Sequence, residues 1–159
     1  MKVVIISDTH RCNDNFSKVL KNEGKIDLLI HCGDVEGSAY YYSEAAGCKS
    51  YFVAGNNDFF DDLPAECEFN IGKYKVWLTH GHSYYVSVNN EFIKQEAAQR
   101  GVDIVMYGHI HRPLIDCSHG VIAINPGSLT YPRQEGRRPS YVVMTVDKKG
   151  NAGFEIKYL

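Results

Sequence analysis

Apolar residues in the first half of this chain come in short unbroken runs rather than in strict alternation with polar ones. Val3–Ile6, Leu28–Ile30 and Tyr51–Ala54 are three such runs. After the first, Phe16, Val19 and Leu20 recur at helical spacing over Asn13–Glu23, with Gly24 placed to end the helix. A weaker helical stretch, rich in Ala and Tyr, covers Glu36–Ala46. Unbroken runs predict strands buried on both faces, as in a parallel sheet covered by helices.

Further along, the pattern changes. Glu68–Leu78 predicts a hairpin turning near Gly72-Lys73, with Val76-Trp77-Leu78 in its second strand. Asn89–Arg100 predicts a polar helix and Ile104–Met106 a strand after it. Val121–Ile124, Tyr141–Val146 and Phe154–Tyr158 predict three more strands, the last two joined by a turn at Lys148–Asn151. Pro132–Pro139 is a polar loop between them. No repeat, low-complexity tract or linker interrupts residues 1–159. The expectation is therefore a single α/β domain built as a two-sheet β-sandwich flanked by helices.

Composition narrows the picture. Hydrophobic residues make up 44% and charged residues 23% of 159, enough for a core that needs no staples. The formal net charge of −2 argues against a surface that coats nucleic acid, although Arg133, Arg137 and Arg138 form a local basic patch. Cys12, Cys32, Cys48, Cys67 and Cys117 are odd in number, scattered, and contain no C-x-x-C pair. Reduced thiols fit better than a disulfide framework or a zinc knuckle. Val3–Ile6 is too short for the apolar region of a signal peptide, and no run approaches the roughly 20 residues that span a bilayer. A cytoplasmic protein with no membrane partner is expected.

The chemistry lies just after the strands. Asp8-Thr9-His10 follows the first run, His31-Cys32-Gly33-Asp34 the second and Gly55-Asn56-Asn57-Asp58 the third. Thr79-His80-Gly81-His82 follows Val76–Leu78, and Gly108-His109-Ile110-His111 follows Ile104–Tyr107. Singly, each group has an ordinary explanation: Asp8 as a cap, Gly-Asn-Asn-Asp as a turn, a lone His as a satisfied polar residue. His31 and His119 keep that explanation. Seven oxygen or nitrogen donors at five strand ends do not. Parallel strands gather their carboxyl-end loops into one crevice. Imidazoles mixed with carboxylates suit divalent manganese, iron, cobalt, nickel or zinc. A carboxylate such as Asp34 can bridge two cations about 3.5–4 Å apart, which activate water for in-line attack on phosphorus.

The ordered set D-x-H, G-D, G-N-x-D, H-G and G-H-x-H, running from Asp8 to His111, resembles the calcineurin-like metallophosphoesterase superfamily. Asn125-Pro126-Gly127-Ser128 resembles a loop of its small bacterial and archaeal phosphodiesterases. The resemblance implies a sandwich of two sheets with helices outside. It also implies two divalent ions, manganese first, with nickel, iron, cobalt or zinc as alternatives. Asp8, His10 and His111 would hold one ion, Asn56, His80 and His109 the other, and Asp34 would bridge them. Asp58 would orient its neighbours, and His82 would stand close by. Asn57 departs from the pattern, because many members carry a His there that steadies the phosphate or protonates the leaving group. Asn can donate a hydrogen bond but supplies no proton at neutral pH.

The expected activity is hydrolysis of a phosphodiester by a hydroxide bridging two metals, with Asp34, Asn57, Asp58 and His82 around the reacting atoms. The partner is then a small phosphodiester, with nucleic acid only as a substrate, and the resemblance leaves room for a homodimer. Two other functions stay open: a phosphomonoesterase, or a metal-binding protein-interaction scaffold of the same fold. Tyr40-Tyr41-Tyr42 and Tyr84-Tyr85 would suit a contact surface in the scaffold case, and core packing equally.

Overall fold

The computed structural model describes residues 1–159. Its elements, in chain order, are β1 (Lys2–Ile6), α1 (Asn13–Glu23), β2 (Leu28–His31), α2 (Ala39–Ala46), β3 (Lys49–Phe52), β4 (Glu66–Ile71), β5 (Tyr74–Thr79), α3 (Glu91–Gln99), β6 (Ile104–Met106), β7 (Pro113–Asp116), β8 (Ile122–Pro126), β9 (Ser140–Val146) and β10 (Ala152–Tyr158). One sheet has the order β10-β9-β1-β2-β3 and the other β4-β5-β6-β8-β7. The expected two-sheet sandwich with helices outside is the architecture found.

Alternation along the strands explains why their apolar runs are unbroken. Val3, Ile5, Leu28 and Ile30 point toward the second sheet, where they meet Val76, Leu78, Ile104, Met106 and Ile124. Val4, Ile6 and Leu29 point the other way, onto Phe16, Val19 and Tyr42 of α1 and α2. On the far side, Trp77, Val105 and Ala123 pack against Ile93 and Ala97 of α3. Each sheet therefore buries both faces, and each fully buried Ile, Leu or Val contributes roughly 1.5–3 kcal/mol.

The structure differs from the expected elements in three places. β3 begins at Lys49, and it is an edge strand with only partly buried side chains, so its apolar run is shorter than a central strand needs. α2 starts at Ala39, because Gly37 takes a positive φ of 82° just before it. β7 was not legible in the sequence: Pro113 opens it, and as an edge strand it needs only one partner, β8. Of the tyrosine clusters, Tyr42 is core, Tyr40 and Tyr85 are exposed, and Tyr84 bonds to Glu66.

Strand register is what prepares the site. β1, β2 and β3 run parallel, pairing Ile6 with His31 and His31 with Phe52, so their carboxyl ends lie level. β5 and β6 are likewise parallel, pairing Leu78 with Met106. Two sets of level strand ends thus face each other at one end of the sandwich. No helix is long and apolar enough to cross a membrane.

A buried ionic knot ties α1 to the first sheet. Glu23 accepts from Tyr141 Oη at 2.8 Å and Lys157 Nζ at 2.9 Å, and Lys2 Nζ lies 3.4 Å from its other oxygen. Burial works to raise the Glu23 pKa, but Lys157, Tyr141 and Lys2 outweigh it and hold the carboxyl below its usual value. A depressed folded pKa contributes stability above the unfolded value, about 4.3, and loses it as pH falls through the folded value. The stability gap between wild type and Glu23→Gln, measured by urea unfolding, should be widest at neutral pH and shrink as pH falls below about 4.3. A gap independent of pH would contradict this.

Candidate metal centre

Every predicted ligand leaves its strand within a few residues of the last ladder bond. Asp8 and His10 follow β1, Asp34 follows β2, Asn56 follows β3, His80 follows β5, and His109 and His111 follow β6. Backbone bonds stitch these loops together: the Asp8 amide donates to the Gly33 carbonyl at 3.0 Å, and the Gly108 amide to the His80 carbonyl at 3.1 Å.

The side chains converge as two groups that meet at Asp34. Asp8, His10, Asp34 and His111 each offer a donor atom, and these four atoms lie within 4.8 Å of one another. In that group His111 Nε2 is 3.0 Å from Asp8 Oδ1, and His10 Nε2 is 3.8 Å from Asp34 Oδ2. In the second, Asn56 Oδ1 lies 3.1 Å from His80 Nε2 and 2.9 Å from His109 Nδ1. His80 Nε2 is 3.6 Å from the same Asp34 Oδ2. A cavity of about 180 Å³ opens onto both groups and is lined also by Asn57, Tyr131 and Arg133.

The residues fit a cation. His10 Nε2 is buried yet has no hydrogen-bond partner, which costs free energy unless something else satisfies it, and the buried Asp8 Oδ1 has only His111 Nε2 beside it. Burial alone would raise the Asp8 pKa, but His111 and His80 outweigh it and hold the carboxyl ionised below its usual range. Burial, then the neighbouring His80, lowers His109, which favours the neutral imidazole that a metal requires. His111 is the exception: burial would lower it, but its contact with Asp8 raises it. A cation beside Asp8 would compete with that proton.

The backbone is strained where the ligands sit. Asp8 (φ 52°), His10 (43°), Asp34 (58°), His109 (71°) and His111 (56°) all take positive φ. Such conformations cost about 1–3 kcal/mol each and persist only where the surroundings enforce them. Close packing does the enforcing. A Cβ added at Gly55 would overlap the Asp34 carboxylate and amide, and one at Gly108 would overlap the Ser7 hydroxyl and crowd Asp8.

Supporting groups hold the ligands from behind, most of them invisible to sequence reasoning. His10 Nδ1 lies 2.6 Å from Glu36 Oε1, His80 Nδ1 2.7 Å from the Cys32 carbonyl, and His111 Nδ1 2.7 Å from the Tyr131 carbonyl. Partners of this kind fix the ring and its tautomer. The Asn125–Ser128 loop was the one singled out in the sequence; Glu36, only two residues past Asp34, was missed. Ser128 Oγ donates to the Asp8 carbonyl at 2.7 Å, and Asn125 Nδ2 to the Gly108 carbonyl at 2.7 Å, so the Asn-Pro-Gly-Ser loop braces two ligand loops.

Asp58, Asn57 and His82 each occupy a distinct place. Asp58 is buried and accepts from the amides of Asp34 (2.8 Å), Glu36 (2.6 Å) and Gly55 (2.7 Å). Burial would raise its pKa, but these amides outweigh that and hold it low. Asn57 donates its amide to Asp34 Oδ1 at 2.9 Å and its side-chain Nδ2 to Asp34 Oδ2 at 2.7 Å. His82 is exposed, with its ring centroid 5.5 Å from His80 and 6.2 Å from His109. His31 lies apart from the cavity, stacked on Tyr42 and Phe52, and burial lowers its pKa to about 4. His119 is exposed on a short turn between β7 and β8.

Comparison with known proteins agrees with this geometry. The model of the calcineurin-like phosphoesterase superfamily domain matches residues 1–149. The probable metallophosphoesterase YsnB of Bacillus subtilis is 33% identical over 149 residues, 92% of this chain and 85% of YsnB. Phosphodiesterase MJ0936 of Methanocaldococcus jannaschii is 30% identical over 146 residues, 80% of this chain and 83% of its own length. Among solved structures, wild-type Vps29 of Entamoeba histolytica, complexed with zinc, gives a TM-score of 0.80 at 23% identity over 99% of each chain. That last likeness concerns the fold alone.

The packing at Gly108 yields a test that needs no metal. Gly108→Ala should lower the unfolding free energy of metal-free protein by about 1–3 kcal/mol, the usual cost of overpacking. Ser7→Ala in the same background should recover part of the loss, because the Ser7 hydroxyl is the atom struck first. Additive effects of the two substitutions would refute the stated clash.

Proposed function

This chain belongs to the calcineurin-like phosphoesterase superfamily, and on that premise we propose that it is a phosphodiesterase working with two divalent ions. One observation carries the proposal: Asp34 Oδ2 stands between His10 Nε2 and His80 Nε2, at 3.8 and 3.6 Å, where the two donor groups meet. Asp8, His10 and His111 would hold one ion, Asn56, His80 and His109 the other, and Asp34 both. Bound there, a cation pair lowers the pKa of a coordinated water and neutralises charge that develops on phosphoryl oxygens. Manganese suits the mixed nitrogen and oxygen donors, with nickel, iron, cobalt and zinc as alternatives.

The chain's own residues supply position and exclusion. Glu36, the Cys32 carbonyl and the Tyr131 carbonyl aim three imidazoles, and Asn57 holds the Asp34 carboxylate by two hydrogen bonds. Asp58 keeps the Asp34 loop closed through three amides. The cavity at the centre is small, about 180 Å³, so the ester groups of a diester would extend from its mouth. A scaffold of the same fold has no need of a complete donor set. Here all seven positions carry donors, and the buried His10 Nε2 lacks any other partner.

Removing the shared charge should break the centre. Asp34→Asn should lower turnover of an aryl phosphodiester at least about a hundredfold with manganese, because both ions depend on that carboxylate. It should also blunt the rise in melting temperature that manganese gives the wild type, a rise worth about 2.7 kcal/mol at a hundredfold excess over Kd. Normal turnover by folded Asp34→Asn protein would refute the two-ion assignment. A wild type whose melting curve ignores every divalent metal would favour the scaffold.

Asn57 sets the preference among esters. An aryl diester loses a leaving group that needs no proton, whereas an alkyl monoester gains about 10²–10⁴-fold from a general acid. Asn57 carries no acidic proton, and His82 is the nearest imidazole outside the ligand set. Burial and the neighbouring His80 lower the His82 pKa, so less of it is protonated at neutral pH. The ratio of kcat/KM for an aryl diester over an alkyl monoester should be large in the wild type and fall in Asn57→His. Equal rates on both substrates in the wild type would show that another group delivers the proton, and His82→Gln would then identify or acquit His82.

A further inference from the structure

The metal cavity does not end in bulk solvent on every side. Tyr131 and Arg133 form a wall it shares with a larger open cavity of about 640 Å³, lined also by Arg112, Thr130, Pro132 and Arg137. The metal cavity is about 180 Å³ and shares that wall, so a group esterified to a phosphate held at the centre has an adjoining space into which to extend. The larger cavity is the adjoining space in which such a group can lie.

Its chemistry is that of an anion site. Arg11 and Arg100 each pair with a carboxylate, whereas Arg112, Arg133 and Arg137 pair with none. All three are exposed, where water screens their mutual repulsion, and an anion entering the cavity would meet three guanidinium groups free of carboxylate partners. The cluster is also tied to the metal centre through the backbone. The Arg133 amide donates to the carbonyl of His111 at 2.9 Å, and Arg112 Nε donates to the Arg133 carbonyl at 3.3 Å. Guanidinium groups bind phosphate by paired, charge-assisted hydrogen bonds.

We propose that the substrate is a phosphodiester bearing a second phosphate, and that Arg112 and Arg137 hold this second, unreacting phosphate beside the metal centre. Arg133, shared by both cavities, faces the gap between the two phosphates, and the exposed Tyr131 ring flanks whatever links them. The end of a single-stranded oligonucleotide has this chemistry, and so does a small organic bisphosphate diester. The inference rests on the phosphodiesterase reading given above.

The test compares dithymidine phosphodiesters that differ only in a terminal phosphate, at the 5′ or 3′ end, using manganese-loaded protein and an aryl diester as the reference substrate. One phosphorylated dinucleotide should exceed the unphosphorylated one at least tenfold in kcat/KM, mostly through KM. Arg112→Gln and Arg137→Gln should each shrink that ratio, and the double variant should bring it near one. The affinity of a non-hydrolysable phosphonate analogue, measured by calorimetry, should follow the same order and weaken more steeply with salt in the wild type than in the double variant. A longer oligonucleotide preferred over the phosphorylated dinucleotide would point to nucleic-acid ends as the source, and equal rates to small diesters. No preference for either phosphorylated dinucleotide, or a preference that survives the double variant, would overturn the inference. Should the wild type fail on the aryl diester, the phosphodiesterase reading falls, and calorimetry with the analogue still decides whether the arginines bind the second phosphate.

Discussion

Burying a carboxylate costs several kcal/mol unless charge and hydrogen bonds surround it, and this fold buries both Asp8 and Asp34 at the end of its sandwich. Much of the surrounding structure answers that cost. Three imidazoles crowd the two carboxylates, Asn57 donates twice to Asp34, and the His109 amide donates to Asp8 Oδ2 at 3.2 Å. The compensation is nevertheless incomplete, since the buried His10 Nε2 has no hydrogen-bond partner and Asp8 Oδ1 has only His111 Nε2. A divalent cation would complete it, and the family to which the chain belongs uses such ions.

The strained ligand backbones follow from the same constraint. Donors from five loops can meet within a few ångströms only if the loops turn sharply as they leave their strands, which puts five ligand residues at positive φ. Isolated turns would relax away from such angles. Here a sheet strand holds the start of every loop and a helix or another strand its end, and Gly55 and Gly108 let neighbouring loops touch where a Cβ would not fit. Stability spent on the site is made up in the core, where both faces of both sheets are buried.

A second consequence concerns charge beyond the ligands. The loop after β8 performs two tasks: Ser128 and the Tyr131 carbonyl brace Asp8 and His111, and Arg133 and Arg137 extend from the same loop into solvent. One segment therefore links the geometry of the centre to the electrostatics of its approach. A chain whose formal charge is −2 thereby presents a positive rim at the mouth of its site.

Much of this was legible in the sequence, because strand identity and donor chemistry are local properties. Unbroken apolar runs announced strands buried on both faces, and donors placed just after them announced a crevice at the strand ends. The edge strands β3 and β7 were misplaced or missed because an edge has one partner and half the burial, so its apolar signal is weak. Motif order already set His31 and His119 apart from the ligand histidines, and tertiary structure supplies the physical reason. His31 ends its strand as directly as His80 does, but alternation along β2 turns it toward Tyr42 and the helices. Only folding brings Ser128 to Asp8 across 120 residues, His109 to Asp8 across 101, and the Arg112 and Arg137 side chains to the rim of one cavity. Spacing along the chain specifies what lies on one strand or one turn. Contacts between distant loops depend on strand register and on how two sheets stack, and neither is written in any local pattern.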